Sequence, residues 1–178
     1  MPLLWLRKSR SMFGESERPM IQKIKPFLWF DKEAEDAAKL YVSIFKNSKI
    51  LHVERYPAGS PAPAGSVMIV NFELEGLQFV GLNAGPQFKF TEAISFAVST
   101  ESQEETDYLW NKLTADGGQE SQCGWLKDRF GMSWQITPRA LMDLLGSPDK
   151  QKAARVMAAM MTMKKIDIAA LQRAASEQ

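Results

Sequence analysis

The segment Cys123–Pro138, CGWLKDRFGMSWQITP, carries the densest set of side chains with possible chemistry in the 178-residue chain. Within it, Arg129 could reach an anionic ligand through a bidentate contact. The alternative is that Asp128 and Gly131 form the turn between two strands, with the glycine at a positive φ and the aspartate bonded to nearby backbone amides. We favour the turn as the interpretation of these residues.

Gln135 is the strongest candidate for a ligand contact in this segment. Side chains alternate along a strand, so a Gln135 that faces a ligand leaves Trp134 to pack in the core. Trp125 either lines the mouth of a pocket or is buried. Cys123 has no histidine in the segment to raise its thiolate fraction, which indicates an inert, small apolar residue.

The only histidine, His52, lies two residues before Glu54 on a predicted strand, so the two side chains share one face. A pair of this kind could shuttle protons. It could equally be a surface or hydrogen-bonded pair, which is the interpretation we favour. A chain with one histidine and one cysteine cannot build a cysteine-and-histidine metal centre.

Composition excludes several classes of partner. Twenty-two basic and twenty-one acidic side chains give a net charge of +1, so the chain has no general attraction to nucleic acid or to anionic membranes. No apolar run approaches the roughly 18 residues of a membrane span. The single cysteine excludes an intrachain disulfide and favours a cytoplasmic location.

The pattern divides the chain into three parts: residues 1–20, 21–138 and 139–178. The first part is polar, lacks an apolar period and ends at a further methionine, Met20. It is either an upstream start or leader, or an arm that packs Leu3, Leu4 and Trp5 on a partner. The last part is a helical extension in which Pro138 opens a short helix and Asp167 caps the final one.

The elements of the middle part occur twice. A strand, a helix with an apolar stripe and three further strands repeat with an offset of about 70 residues. We expect Asp31 to cap the first helix and the Ser102–Glu105 capping box to begin the second. Glu75–Gly76 is the predicted turn of a hairpin. These patterns predict an α+β fold of two βαβββ modules with one exposed helix face per module.

Methionine is concentrated in the C-terminal part. The side chains either fill irregular gaps in a core, or form a lid or a dimer contact. The residues are Met157, Met160, Met161 and Met163.

Three segments carry a family resemblance: GPQFKFTEAISFAVS, CGWLKDRFGMSWQITP and VMAAMMTMKKIDIAAL. They resemble the PhnB-like family, also labelled 3-demethylubiquinone-9 3-methyltransferase-like, of the glyoxalase / vicinal-oxygen-chelate superfamily. The resemblance runs from about Ile21 to about Leu171. It implies two βαβββ modules, each a curved sheet with helices outside, usually a homodimer with a pocket in the concavity of each sheet.

The resemblance also implies where a metal ion would bind. Enzymes of the superfamily typically hold a divalent metal ion with four inward side chains, mostly histidine and glutamate. Pro26, Asn83, Ala93 and Gln135 lie at or near those positions. Proline and alanine have no ligand atoms, and neutral amide oxygens are weaker ligands than carboxylate or imidazole. We therefore expect no catalytic metal and no other cofactor.

The leading hypothesis is a cytoplasmic homodimer that binds a small, largely apolar molecule in the sheet concavity. Strand alternation together with the resemblance gives six expected ligand-binding residues: Leu28, Phe30, Asn83, Ser95, Ser133 and Gln135.

Two alternatives stay open. One is an enzyme that uses the same pocket, either a methyltransferase or a glyoxalase-type lyase, isomerase or dioxygenase. The glycines lie in hairpins and at helix ends, however, so the chain shows no glycine-rich turn after a strand of the kind that S-adenosylmethionine enzymes commonly use. The other alternative is an interaction protein whose methionine-rich tail contacts a partner.

Overall fold

Two four-stranded sheets form the frame of the protein in a computed structural model, which describes residues 22–177. The prediction for residues 1–20 lies outside the described residues. The first module contains β1 (Phe27–Phe30), α1 (Ala34–Ile44), β2 (Lys49–Arg55), β3 (Val67–Leu74) and β4 (Leu77–Asn83). The second module contains β5 (Ser95–Thr100), α2 (Gln103–Thr114), β6 (Gln119–Glu120), β7 (Trp125–Lys127) and β8 (Ser133–Pro138).

The two modules have the same topology. The strand order is β1-β4-β3-β2 in the first sheet and β5-β8-β7-β6 in the second. In each sheet the first strand pairs in parallel with the last, and the remaining neighbours are antiparallel. The predicted pair of βαβββ modules is confirmed, and β1 and β5 occupy equivalent positions.

The first hairpin shows how local sequence fixes the register. Glu75 and Gly76 both have positive φ, at 46° and 85°, which suits the two-residue turn that matches strand twist. The turn pairs Leu74 with Leu77. Val70 and Phe72 on β3 are buried together with Leu74, as the alternation predicts.

Of the three predicted side-chain caps at helix starts, two are present. Ser102 accepts a hydrogen bond from the Glu105 amide, and Asp167 accepts one from the Ala170 amide. The prediction that Asp31 caps α1 was wrong. The side-chain oxygen of Asn83, from β4, accepts the hydrogen bond of the Ala34 amide at 2.8 Å instead.

A single core joins the two modules, and α1 lies between them. Tyr41 packs against Phe72 of the first sheet and Trp134 of the second, with ring centroids 6.1 Å and 5.2 Å away. Phe79 and Phe96 also meet edge to face across the modules at 5.1 Å. The helix-covered faces of both sheets therefore turn towards one shared interior.

Three helices, α3 (Arg139–Leu145), α4 (Lys150–Met161) and α5 (Ile168–Ser176), follow the second module. They enclose a small core of their own, formed by Leu141, Val156, Ile166, Leu171 and Ala175. Met160 and Met163 pack against this core, whereas Met157 and Met161 are exposed. Among the described helices, none combines the length and the apolar character that crossing a membrane requires.

Candidate functional site

Each sheet has one face that no helix covers, and we call these the helix-free faces. On the first sheet this face carries an apolar patch: Phe27, Trp29, Ile69, Val80 and Leu82. Polar side chains occupy the rest of the same face: His52, Glu54, Asn71, Glu73 and Gln78. On the second sheet the helix-free face carries mostly small or polar side chains: Ser95, Ala97, Ser99, Trp125, Lys127, Ser133, Gln135 and Thr137. Because the covered faces share one core, the helix-free faces point away from it.

Three of the six expected ligand-binding residues lie together on the helix-free face of the second sheet. Ser95 and Ser133 are directly paired across β5 and β8. Gln135, two residues along β8, donates a hydrogen bond from Nε2 to the Ser95 hydroxyl at 2.8 Å. Trp134 points the other way and is 2% exposed, as the alternation predicts.

The other three residues, Leu28, Phe30 and Asn83, lie on the opposite, helix-covered face. Leu28 and Phe30 belong to the shared core. Asn83 is fixed at the start of α1, where it accepts from the Ala34 amide and donates to the Val67 carbonyl at 3.1 Å. The prediction that these three side chains face the ligand was wrong. Neighbouring residues of a strand point to opposite faces, so the helix-free face carries Phe27 and Trp29 and not Leu28 and Phe30.

The apolar patch on the helix-free face of the first sheet was missed by the sequence reasoning. Phe27 is 59% exposed, and Trp29 is half-buried, with its indole N–H bonded to the Gly85 carbonyl at 2.8 Å. The available signal was Gly81, whose missing Cβ would lie 3.2 Å from the Ala34 Cβ. A glycine where a helix approaches a strand marks the covered face, and its partner Leu28 must share that face.

Ser133 is the unusual residue of the polar face. Its side chain is 0% exposed, and its hydroxyl forms no hydrogen bond with any described residue. Lys127 lies directly opposite on β7 and forms an ion pair with Glu92, which precedes β5. The hydrogen bond from Lys127 lowers the pKa of the exposed Glu92 carboxyl below its usual range. A cavity of about 130 Å³ borders these three residues.

His52 and Glu54 lie on the same edge strand, β2, with Nε2 and Oε1 3.8 Å apart. Their side chains are 64% and 44% exposed. Solvent therefore surrounds both groups, and this geometry is that of a surface pair.

The positions implied for a metal ion do not fit one. Pro26 and Ala93 precede β1 and β5 and offer no ligand atoms. The Asn83 oxygen is engaged at the start of α1, and the Gln135 amide is bonded to Ser95. The described residues hold no cluster of three histidine, cysteine, aspartate or glutamate side chains suited to a metal ion.

Asp128 serves the fold at the predicted turn between β7 and β8. Its Oδ1 accepts from the amides of Phe130 and Met132, and its Oδ2 accepts from Tyr41 Oη at 2.7 Å and Trp134 Nε1 at 2.9 Å. Burial raises the pKa of the Asp128 carboxyl, although these four donors oppose the shift. Burial, followed by the adjacent Asp128 charge, raises the pKa of Tyr41 well above its usual value.

The remaining candidates of this segment are also explained by local contacts. Arg129 pairs with Asp116 at 2.9 Å instead of facing either helix-free surface. Cys123 adopts a positive φ of 56°, and its amide donates to the Met163 carbonyl. The half-buried Trp125 pairs with Gln135 across β7 and β8, so it borders the polar face.

A larger cavity, of about 750 Å³, lies elsewhere, between the start of α1 and the proline-rich loop before β3. Tyr56 closes one side by donating to the Asn83 carbonyl at 2.6 Å. The acidic residues around it, Asp31, Glu35 and Asp36, are solvated side chains of the α1 start. In contrast to the smaller cavity beside Ser133, it contains no buried polar side-chain atom without a partner among the described residues.

Comparison with known proteins agrees with this architecture. The family model for 3-demethylubiquinone-9 3-methyltransferase matches residues 22–137. The PhnB protein of Bacillus cereus is 36% identical with a TM-score of 0.61, and the similarity covers 66% of this chain and 99% of that one. A protein of Pseudomonas aeruginosa is 20% identical with a TM-score of 0.54, covering 65% and 96%, which shows the fold alone. None of the curated proteins compared with the chain matches it.

The matched residues span both βαβββ modules and end within β8, so the family assignment and the repeated topology describe the same part of the chain. The chain belongs to the PhnB-like, 3-demethylubiquinone-9 3-methyltransferase family.

Proposed function

We propose that the protein binds a small, largely apolar molecule on its helix-free faces, without a catalytic metal ion. The observation that carries this proposal is the polar row of Ser95, Ser133 and Gln135 in an otherwise open sheet face. Such a row can fix the orientation of a ligand through a few hydrogen bonds, while apolar surface provides most of the contact area.

Because the two helix-free faces of one chain point away from the shared core, the apolar surface would come from the first sheet of a second copy. Phe27 and Trp29 present aromatic area on a face that no helix covers. Exposed apolar patches of this kind mark binding or interaction surfaces. We therefore propose that the protein is a homodimer, in which a second copy covers this face and completes the ligand environment. The location proposed for it is the cytoplasm, because the chain has one cysteine and no disulfide.

An enzymatic role is the alternative that the family name suggests. The His52–Glu54 pair is exposed, and the buried Asp128 carboxyl accepts four hydrogen bonds inside the core. His52 and Glu54 lie on the first sheet and Asp128 lies in the core, so neither group belongs to the Ser95–Gln135 row of the second sheet. Binding is therefore the proposed function.

The test is a ligand screen with apolar ring compounds, read by thermal shift and then by calorimetry. Ala97 is exposed and lies next to Gln135 on the helix-free face, so Ala97→Trp should block the site and weaken binding at least tenfold. The matched control is Ala154→Trp, at an exposed alanine of α4. Equal binding by the two variants would contradict the proposed site.

A further inference from the structure

The buried Ser133 hydroxyl is a polar group whose partner is missing from the described protein. Buried hydroxyls almost always form a hydrogen bond, because leaving one unpaired is costly. Ser133 lies on the helix-free face and borders the cavity of about 130 Å³, not the shared core. That volume exceeds several-fold the roughly 10–15 Å³ that one water molecule needs. Ser133 thus lines a cavity that can hold a small polar group, although its hydroxyl oxygen is shielded from solvent and a ligand would reach it only where the surrounding side chains move.

The cross-strand neighbour of Ser133 is a positively charged residue. Lys127 and Ser133 face each other across the antiparallel pair of β7 and β8, where opposite side chains have Cβ atoms about 4.5–5.5 Å apart. The Lys127 side chain is 30% exposed, so its ammonium group is partly shielded from solvent. An ammonium group and a hydroxyl side by side supply donors for one oxyanion.

The neighbouring hydroxyl adds a further donor. The Ser95 oxygen accepts the hydrogen bond from Gln135, which leaves the Ser95 hydrogen available to an incoming acceptor. Ser95 pairs directly with Ser133 across β5 and β8, so both hydroxyls flank the same strip of sheet.

A carboxylate of the protein, that of Glu92, already contacts the Lys127 ammonium group. Glu92 lies on the connection between β4 and β5, is 64% exposed in its side chain and pairs with Lys127. It forms no hydrogen bond with Ser133. The Glu92 pair shows that Lys127 can bind a carboxylate at this position. The same carboxylate does not reach the Ser133 hydroxyl, which stays without a hydrogen bond.

We propose that Lys127, Ser133 and Ser95 form a subsite for a carboxylate group of the bound small molecule, and that the Glu92 carboxylate competes for Lys127. This inference rests on the proposed function and narrows the ligand class to small acids with an apolar body. A ligand carboxylate would pair with Lys127 and also satisfy the Ser133 hydroxyl, which Glu92 does not.

The test compares benzoate with benzamide, which has a similar shape and no charge, by calorimetry on the full chain. The wild-type protein should bind benzoate at least tenfold more tightly. Lys127→Met should remove this preference, and Glu92→Gln should strengthen benzoate binding several-fold by releasing Lys127. The matched controls are Lys39→Met and Glu35→Gln, which alter an ion pair on α1 and should change neither affinity.

Ser133→Ala separates a ligand contact from a structural role. Removing an unpaired buried hydroxyl should leave the melting temperature unchanged or raise it, while benzoate affinity falls several-fold. A lower melting temperature with unchanged affinity would show that Ser133 serves the fold, through water, and would overturn the subsite.

The two proposals fail in different ways. Equal binding of benzoate and benzamide at a site blocked by Ala97→Trp would overturn the carboxylate subsite and leave the proposed function standing. Binding of neither benzoate nor benzamide, together with no hit among the ring compounds, would overturn both. A benzoate preference that survives Lys127→Met would also overturn the subsite.

Discussion

At the scale of single residues, Gln135 is the amide that orients the polar row on the second sheet. Its hydrogen bond to Ser95 holds the hydroxyl in place, and both groups are only half-buried. Solvent can therefore replace the bond when one partner is removed, which limits the contribution of this bond to stability. Replacing Gln135 should therefore change ligand affinity more than it changes the free energy of unfolding.

We expect Gln135→Leu to lower the free energy of unfolding by no more than about 1 kcal/mol, the usual net value of one hydrogen bond. Ligand affinity should fall by about tenfold for each 1.4 kcal/mol of lost interaction. Urea denaturation and calorimetry with the best screened compound measure the two effects. A large loss of stability with unchanged affinity would assign Gln135 to the fold alone.

At the scale of elements, Asp128 connects α1 of the first module to the β7–β8 turn of the second. Its two oxygens accept two side-chain and two backbone donors inside the core. The turn motif read from the sequence explains the backbone bonds. The side-chain bonds to Tyr41 and Trp134 exist only because α1 packs against the second sheet.

Asp128→Asn should destabilise the protein because one oxygen becomes an NH₂ group that faces donors. Each buried donor left unpaired costs about 1–3 kcal/mol, so a loss of at least about 2 kcal/mol is expected in urea denaturation. Tyr41→Phe is the comparison, because it removes one donor and leaves the carboxylate three. A loss for Asp128→Asn no greater than that for Tyr41→Phe would contradict this account.

The start of α2 depends on its cap. Ser102 accepts the Glu105 amide at 3.2 Å, and the Glu105 carboxylate accepts the Glu101 amide at 2.8 Å. We expect Ser102→Ala to lower the free energy of unfolding by about 1 kcal/mol, as for other serine caps. The control is Ser43→Ala within α1, whose hydroxyl bonds only the Leu40 carbonyl and whose removal should be close to neutral. Equal effects of the two changes would exclude a specific role for the cap.

At the scale of the whole molecule, the helix-free faces point away from the shared core. The face on the first sheet carries an apolar patch in which Phe27 is 59% exposed. A second copy of the chain is the occupant that we propose for this face.

Light scattering should therefore give about twice the 20.0 kDa mass of the chain. Phe27→Glu should shift the protein towards the monomer, because it places a charge in the apolar contact. Met142 on α3 is also 59% exposed, so Met142→Glu is a matched control that should leave the mass unchanged. A monomer mass of the wild-type protein across a wide concentration range would refute the homodimer.

Sequence alone was sufficient for the repeated topology and for the turns and caps that depend on neighbouring residues. The Glu75–Gly76 turn, the Ser102 cap and the opposition of Trp134 and Gln135 follow from backbone preference and from the period of two along a strand. These features are local, so the residues that specify them lie within a few positions of one another.

Only the tertiary structure decided which face of the first sheet α1 covers. On β1 both faces are apolar, so alternation groups Leu28 with Phe30 and Phe27 with Trp29 but does not say which pair is covered. The decision depends on contacts between residues far apart in the chain. The side chain of Asn83 accepts the hydrogen bond of the first amide of α1, so the helix packs on the face that carries Asn83. The opposite face of the sheet then has no helix over it.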